Sequence, residues 1–89
     1  MEGIQDRKLI EFECQALFRA KQYKSCELVA SLALSKVQAE ANALGCSANI
    51  ELFVAILEEI LGDCADALGN FEEAIHFYRP AALRRYMLC

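Results

Sequence analysis

Apolar residues in the second half of the chain recur every three or four positions, which is the spacing of one face of an α-helix. Before Gly69 they are Leu57, Ile60, Leu61, Cys64 and Leu68, and after it they are Phe71, Ala74, Ile75 and Tyr78. We predict two helices packed antiparallel across a turn at Gly69. The small residues Gly62 and Ala74 allow the helices to approach closely, and Phe71 is expected to fill the wedge between them.

The first half of the chain predicts a similar pair of helices. Apolar positions with helical spacing cover residues 4–20 and, after a short turn, residues 23–44. Gly45 then offers the left-handed backbone conformation at which many helices end. A shift of 48 positions aligns Cys14 with Gly62 and Cys26 with Ala74, so small residues coincide. The two halves therefore look like an internal repeat.

Two further helices complete the predicted domain. Ser47 or Asn49 can cap a third helix over about 50–68. The fourth helix, over about 71–88, is expected to bend or loosen near Pro80, because proline lacks a backbone donor and clashes with the preceding turn.

We thus predict an all-α fold in one domain. It spans residues 1–89 and consists of two antiparallel helix hairpins, over about 4–44 and about 49–88.

The second pair of helices resembles a tetratricopeptide repeat. Its small, aromatic and leucine positions match the family pattern at Leu61, Gly62, Phe71, Ala74, Tyr78 and Ala81. The chain departs from the pattern at three positions, where Glu58 replaces a tryptophan, Ala65 replaces a tyrosine and Tyr86 replaces a proline. The resemblance implies a fragment of a right-handed α-solenoid that serves as a protein–protein interaction module.

The third predicted helix is more apolar than one neighbouring helix requires. Its apolar residues cover an arc of roughly 220°, against about 100° for a surface helix. Repeat arrays also need about three or more repeats for stability, and only two hairpins are visible. We expect either further repeats beyond the apparently truncated end or a second copy to cover the excess. The candidate interface residues are Leu52, Phe53, Ile56, Tyr86 and Leu88.

The composition of the chain argues against several classes of function. With 56% hydrophobic residues, four glycines and one proline, the chain favours a compact helical domain. A net charge of −4 without a basic stripe disfavours nucleic acid as a partner. No apolar run reaches the length of about 18 residues that spans a bilayer, so no membrane association is expected. Five cysteines without a Cys-x-x-Cys pair and no visible secretory signal predict a cytoplasmic or nuclear protein with buried thiols.

The residues offer little for catalysis. His76 is the only histidine, so no metal site and no cofactor are predicted, and a cysteine nucleophile would have to use His76 as its base. We therefore predict that the protein is not an enzyme, with a reactive thiol enzyme as the least favoured hypothesis. Cys14 and Cys26 occupy facing positions of the first hairpin and are expected to lie close together, as thiols in a reducing compartment.

A peptide groove is the other candidate feature. The positions at which related repeats present lysine and asparagine to acidic peptides are Glu11, Gln15, Glu59 and Asp63. Acids there would repel a carboxylate, so a basic or apolar peptide is the expected ligand.

Two functional hypotheses follow. The segments 20–28 and 61–85 are similar to the amino-terminal part of a tetratricopeptide subunit of the anaphase-promoting complex. That resemblance implies a non-catalytic, self-associating scaffold in a cell-cycle ubiquitin ligase, with a homodimer or neighbouring repeats as its protein partners. The alternative is a peptide-binding tetratricopeptide adaptor unrelated to that complex.

Overall fold

The computed structural model describes the backbone of residues 3–45 and 47–88 and the side chains of residues 7–45 and 47–87. Four α-helices account for nearly all of these residues, and the described part of the chain contains no strand. They are α1 (Gly3–Arg19), α2 (Tyr23–Leu44), α3 (Ala48–Ala67) and α4 (Phe71–Leu88). The all-α class is confirmed, and the helix bounds lie within two residues of those expected from the sequence. Helix α4 continues through Pro80 without a break.

The turns after α1 and α3 have the same hydrogen-bond pattern. Gln22 N–H donates to the Leu17 carbonyl at 2.9 Å, and Asn70 N–H donates to the Ala65 carbonyl at 2.8 Å. Each turn contains one residue with positive φ, Lys21 at 63° and Gly69 at 86°. Both turns thus satisfy the last carbonyls of the preceding helix in the Schellman manner. Lys21 and Gly69 are 48 positions apart, so the repeat in the sequence is also a repeat in backbone geometry.

The connection between α2 and α3 is set by a glycine and a serine. Gly45 has φ of 91° and donates its N–H to the Ala41 carbonyl at 2.8 Å, which ends α2. The Ser47 hydroxyl accepts a hydrogen bond from Ile50 N–H at 3.2 Å. Ser47, rather than Asn49, is therefore the residue that caps α3.

Consecutive helices run antiparallel. Tyr23 packs edge-on against Phe18 with 5.1 Å between ring centroids, and Cys26 contacts Cys14 further along, so α2 returns along α1. In the same way Tyr78 contacts Asp63 and Arg84 contacts Glu58, so α4 returns along α3.

Helix α3 is the centre of the fold, because it packs against α1, α2 and α4. The core residues are Cys14, Cys26, Ala30, Ala33, Val37, Phe53, Val54, Leu57, Leu61 and Cys64.

The chain itself covers part of the wide apolar arc of α3, for which a partner was expected. Phe53, Leu57 and Leu61 are buried by the chain's own helices, because three helices rather than one surround α3. Phe53 is only 6% exposed, and the Arg7 guanidinium lies over its ring at 5.7 Å from the centroid. Phe53 is therefore a core residue and not part of a free surface.

The close approach of α3 and α4 depends on Gly62, as predicted. A Cβ placed at Gly62 would lie 2.5 Å from a ring carbon of Tyr78, well inside van der Waals contact. Ala74 and Ala81 are also buried on the facing side of α4. Phe71, in contrast, does not fill the wedge between the helices and is 64% exposed. The space is taken by the Tyr78 ring instead.

Candidate functional site

An apolar stripe runs along the outer face of α4. We call Phe71, Ile75, Leu83 and Met87 the α4 stripe. Their positions differ by multiples of four, so each step of four residues turns about 40° around the helix and the stripe winds along the side of α4 that is turned away from α3. The four side chains are between 51% and 81% exposed. Two shallow grooves follow this face, one lined by Ile75, Arg79 and Leu83 and the next by Leu83 and Met87, with Pro80 lining both.

The stripe exists because α4 has only one covered side. Ala74 and Ala81 are buried against α3, and Phe77 and Tyr78 are half-buried beside them. In the described part of the chain no further helix packs on the opposite side of α4, which contacts α3. Isolated exposed apolar residues are common, whereas four on one helix face form a typical interaction surface.

The interface residues predicted from the sequence differ in their exposure. Leu52 is 41% exposed and Ile56 is half-buried one turn later on α3. Tyr86 is 81% exposed in the last turn of α4. Phe53 lies in the core, and the side chain of Leu88 lies outside the described residues. Within the α4 stripe, Phe71 and Ile75 belong to the apolar face that the sequence predicts to pack against the preceding helix, whereas no sequence pattern pointed to Leu83 or Met87.

A groove between α1 and α3 gathers the predicted peptide-contacting positions. Glu11, Gln15, Glu59 and Asp63 all line this groove, whose volume is about 360 Å³. Phe18, Ile56 and Ile60 add apolar surface, and Arg19 and Arg85 add positive charge. The four positions expected from the resemblance to peptide-binding repeats therefore line one cleft.

Two of the acids in this groove already have partners. The Arg85 Nη2 donates to Glu59 Oε1 at 2.9 Å, and the Tyr78 hydroxyl donates to Asp63 Oδ1 at 2.5 Å. Burial and the neighbouring Asp63 carboxylate both raise the pKa of Tyr78, so this hydroxyl stays protonated at neutral pH. The groove has mixed charge with an acidic excess, which favours cationic ligands.

Three cysteines meet in the core. Cys14, Cys26 and Cys64 are fully buried free thiols. The Cys26 thiol donates to the Cys14 carbonyl at 3.2 Å, which confirms the predicted proximity of these two residues. Burial, with the nearby Cys26 adding to it, raises the pKa of Cys14 from 9.0 to about 12. Burial also raises the pKa of Cys64. A raised thiol pKa lowers the fraction of nucleophilic thiolate, so Cys14 and Cys64 are poorly activated as nucleophiles.

His76 lies on an exposed part of α4 beside Glu72, away from the enclosed thiols.

No group of three or more metal-ligating side chains that could hold an ion occurs among the described residues. Within the same residues, no helix has both the length and the apolar content needed to cross a membrane.

The buried thiols predict a stability loss at alkaline pH. Above pH 9 the unfolded chain releases the Cys14 proton, whereas the folded chain keeps it up to about pH 12, so stability is complete below pH 9 and falls above it. We expect Cys14 to account for a loss of about 1.4 kcal/mol between pH 8 and pH 10. Urea unfolding at both pH values should show this loss reduced by that amount in Cys14→Ala. An identical loss in the variant would contradict it.

Comparison of the chain with protein-family models, with curated proteins and with solved structures gives no match.

Proposed function

We propose that the protein is a non-catalytic protein–protein interaction scaffold that associates with a second copy of itself. The observation that supports this most directly is the α4 stripe, an apolar helix face along the outer side of the fold. Burying such a face removes apolar surface from water and stabilises association by about 25 cal/mol per Å².

Charges beside the stripe favour a second copy as the partner. Glu72 and Arg79 are seven residues apart on the same face of α4 and line one groove with Ile75. If two α4 helices pack antiparallel about a two-fold axis between Ile75 and His76, Glu72 of each copy faces Arg79 of the other. Such an isologous contact forms the Glu72–Arg79 ion pair twice, once on each side of the two-fold axis. Ile75 then lies next to the axis, in contact with the partner.

The sequence resemblance adds a biological setting to this proposal. We propose that the two antiparallel helix pairs form a tetratricopeptide-like, right-handed α-solenoid fragment. The sequence resembles the amino-terminal domain of subunit 7 of the anaphase-promoting complex, so the proposed role is self-association within a cell-cycle ubiquitin ligase, in the cytoplasm or nucleus. The next repeat of a longer chain is the other partner that the α4 stripe fits.

A peptide-binding adaptor is the second candidate, and the groove between α1 and α3 favours it. This groove combines the apolar side chains of Phe18, Ile56 and Ile60 with the acids Glu11, Glu59 and Asp63. An extended or helical segment with alternating basic and apolar residues would match both properties. Under this alternative a monomer binds the peptide saturably, whereas the scaffold proposal requires a dimer.

Self-association predicts a dimer that a charge in the α4 stripe disrupts. Light scattering at micromolar concentration should give twice the 9.9 kDa mass of the chain. Leu83→Glu is expected to weaken the dimer by about 100-fold, because an unpaired carboxylate would be buried at the contact. Leu28→Glu is the matched control, since Leu28 on α2 is 61% exposed and Leu83 is 62% exposed.

Circular dichroism should show both variants fully helical, since each replaces an exposed residue. A wild-type chain that remains monomeric, or an equal effect of the two substitutions, would rule out self-association through the stripe. A monomer that binds a lysine- and arginine-rich peptide saturably would favour the adaptor.

A further inference from the structure

The three buried thiols come from three different helices at one junction. Cys14 lies on α1, Cys26 on α2 and Cys64 on α3, and all three are fully buried. Cys14 and Cys26 stand at the small-residue positions where α1 and α2 approach each other. The cluster therefore contains one oxidisable thiol from each of the first three helices.

Cys26 is the central member of this cluster. Its sulfur lies 3.2 Å from the Cys14 carbonyl oxygen, so its side chain reaches the backbone of α1. Cys14, Cys26 and Cys64 belong to the same cluster of buried core side chains, and Cys26 interacts with both of the other thiols. A disulfide requires Cα atoms about 4.4–6.8 Å apart, so cross-linking of these cysteines tests whether the three helices bring them within that range.

We propose that the cluster is an oxidative modification site in which Cys26 is the common member of two alternative disulfides, Cys14–Cys26 and Cys26–Cys64. The oxidant is a low-molecular-weight disulfide such as oxidised glutathione. One protein thiol, as its thiolate, attacks this disulfide and releases one glutathione thiol. Cys26 and its partner then resolve the mixed disulfide and release the second. Overall, two protein thiols lose two hydrogens, one protein S–S bond forms, and one glutathione disulfide becomes two thiols.

The two disulfides would connect different pairs of helices. The Cys14–Cys26 bond joins α1 to α2 across their turn, and the Cys26–Cys64 bond joins α2 to α3 and so ties the two helix pairs together. Because all three thiols are buried, the oxidant reaches them only when the helices open locally, and the bond then restricts that opening. The α4 stripe contains no cysteine, so oxidation of the cysteine cluster is separate from the proposed self-association.

The test is disulfide mapping of the full-length chain after equilibration in glutathione redox buffers. A Cys46→Ser/Cys89→Ser background removes the other two cysteines of the sequence. Trypsin cleaves at Arg19, Lys21 and Lys24 between Cys14 and Cys26, and at Lys36 between Cys26 and Cys64, so each thiol lies on its own peptide. We expect a loss of two hydrogens per chain and cross-linked peptides that always contain Cys26.

Single variants in this background complete the test. Cys14→Ala is expected to give only the Cys26–Cys64 bond, and Cys64→Ala only the Cys14–Cys26 bond. Cys26→Ala is expected to abolish intramolecular cross-linking. Disulfide mapping of the Cys46→Ser/Cys89→Ser protein tests the proposal even where a single variant fails to fold. A Cys14–Cys64 bond, glutathione adducts without cross-links, or thiols that stay reduced in every buffer would overturn the proposal.

Discussion

Replacement of Leu57 by alanine is expected to lower the free energy of unfolding by about 3–4 kcal/mol. Leu57 is fully buried in the middle of α3, where α1, α2 and α4 surround that helix. The substitution removes buried methyl groups and leaves a cavity that rigid helices on three sides cannot easily fill. Urea unfolding followed by circular dichroism measures this loss.

Leu52→Ala is the matched control for this prediction. Leu52 has the same side chain on the same helix but is 41% exposed, so its truncation is expected to cost under about 1 kcal/mol. The pair of variants tests whether the chain itself covers the apolar arc of α3. Equal losses for the two variants would mean that Leu57 is no better enclosed than Leu52, and that α3 needs an external partner.

The helices and their ends were predictable because the signals are local. Helical spacing of apolar residues, the Ser47 side chain before α3 and the glycines at 45 and 69 each act within a few residues. Ser47 caps α3, and both glycines adopt positive φ. Lys21 adopts the same conformation without being glycine, and only the repeat of 48 positions points to it.

The partner of each apolar face was not predictable from spacing alone. The periodicity of α3 predicted a wide apolar arc, but it could not say which part of that arc the other helices of the same chain cover. The periodicity of α4 placed Phe71, Ala74, Ile75 and Tyr78 on one apolar face. In the structure Ala74 is buried and Tyr78 half-buried, whereas Phe71 and Ile75 are exposed. Which side faces α3 depends on Gly62, which admits the Tyr78 ring. Packing between distant residues therefore decided which stripe remains exposed.

The groove residues were predictable from the sequence, whereas the ion pairs between α4 and α3 were not. Glu11 and Gln15 could be paired with Glu59 and Asp63 because the internal repeat relates their positions by 48 residues. The ion pairs of Arg84 and Arg85 with α3 span 26 residues or more and have no counterpart in the first repeat. No pattern in the sequence predicts which of these two adjacent arginines faces a buried acid.

Arg84→Met is expected to lower the free energy of unfolding by about 2–3 kcal/mol. Arg84 Nε donates to Glu58 Oε1 at 2.9 Å, and its Nη1 donates to Glu51 Oε2 at 2.7 Å. Glu58 is only 6% exposed, so removing the guanidinium leaves a carboxylate that water cannot reach. Methionine retains the apolar stem of the side chain, which confines the loss to the charge. The expected value lies below that of a fully enclosed pair because Arg84 is 28% exposed.

Arg85→Met is the control, because Arg85 is the next residue on the same helix and pairs with Glu59, whose side chain is 38% exposed. A pair at the surface contributes about 0–1 kcal/mol, so this variant should remain close to wild type in urea unfolding. The double variant Arg84→Met/Glu58→Met should recover most of the stability lost in Arg84→Met, since it removes the buried charge together with its partner. Equal effects of Arg84→Met and Arg85→Met would show that the burial of Glu58 does not set the strength of this contact. The attachment of α4 to α3 would then depend mainly on the apolar contacts of Ala74, Tyr78 and Ala81.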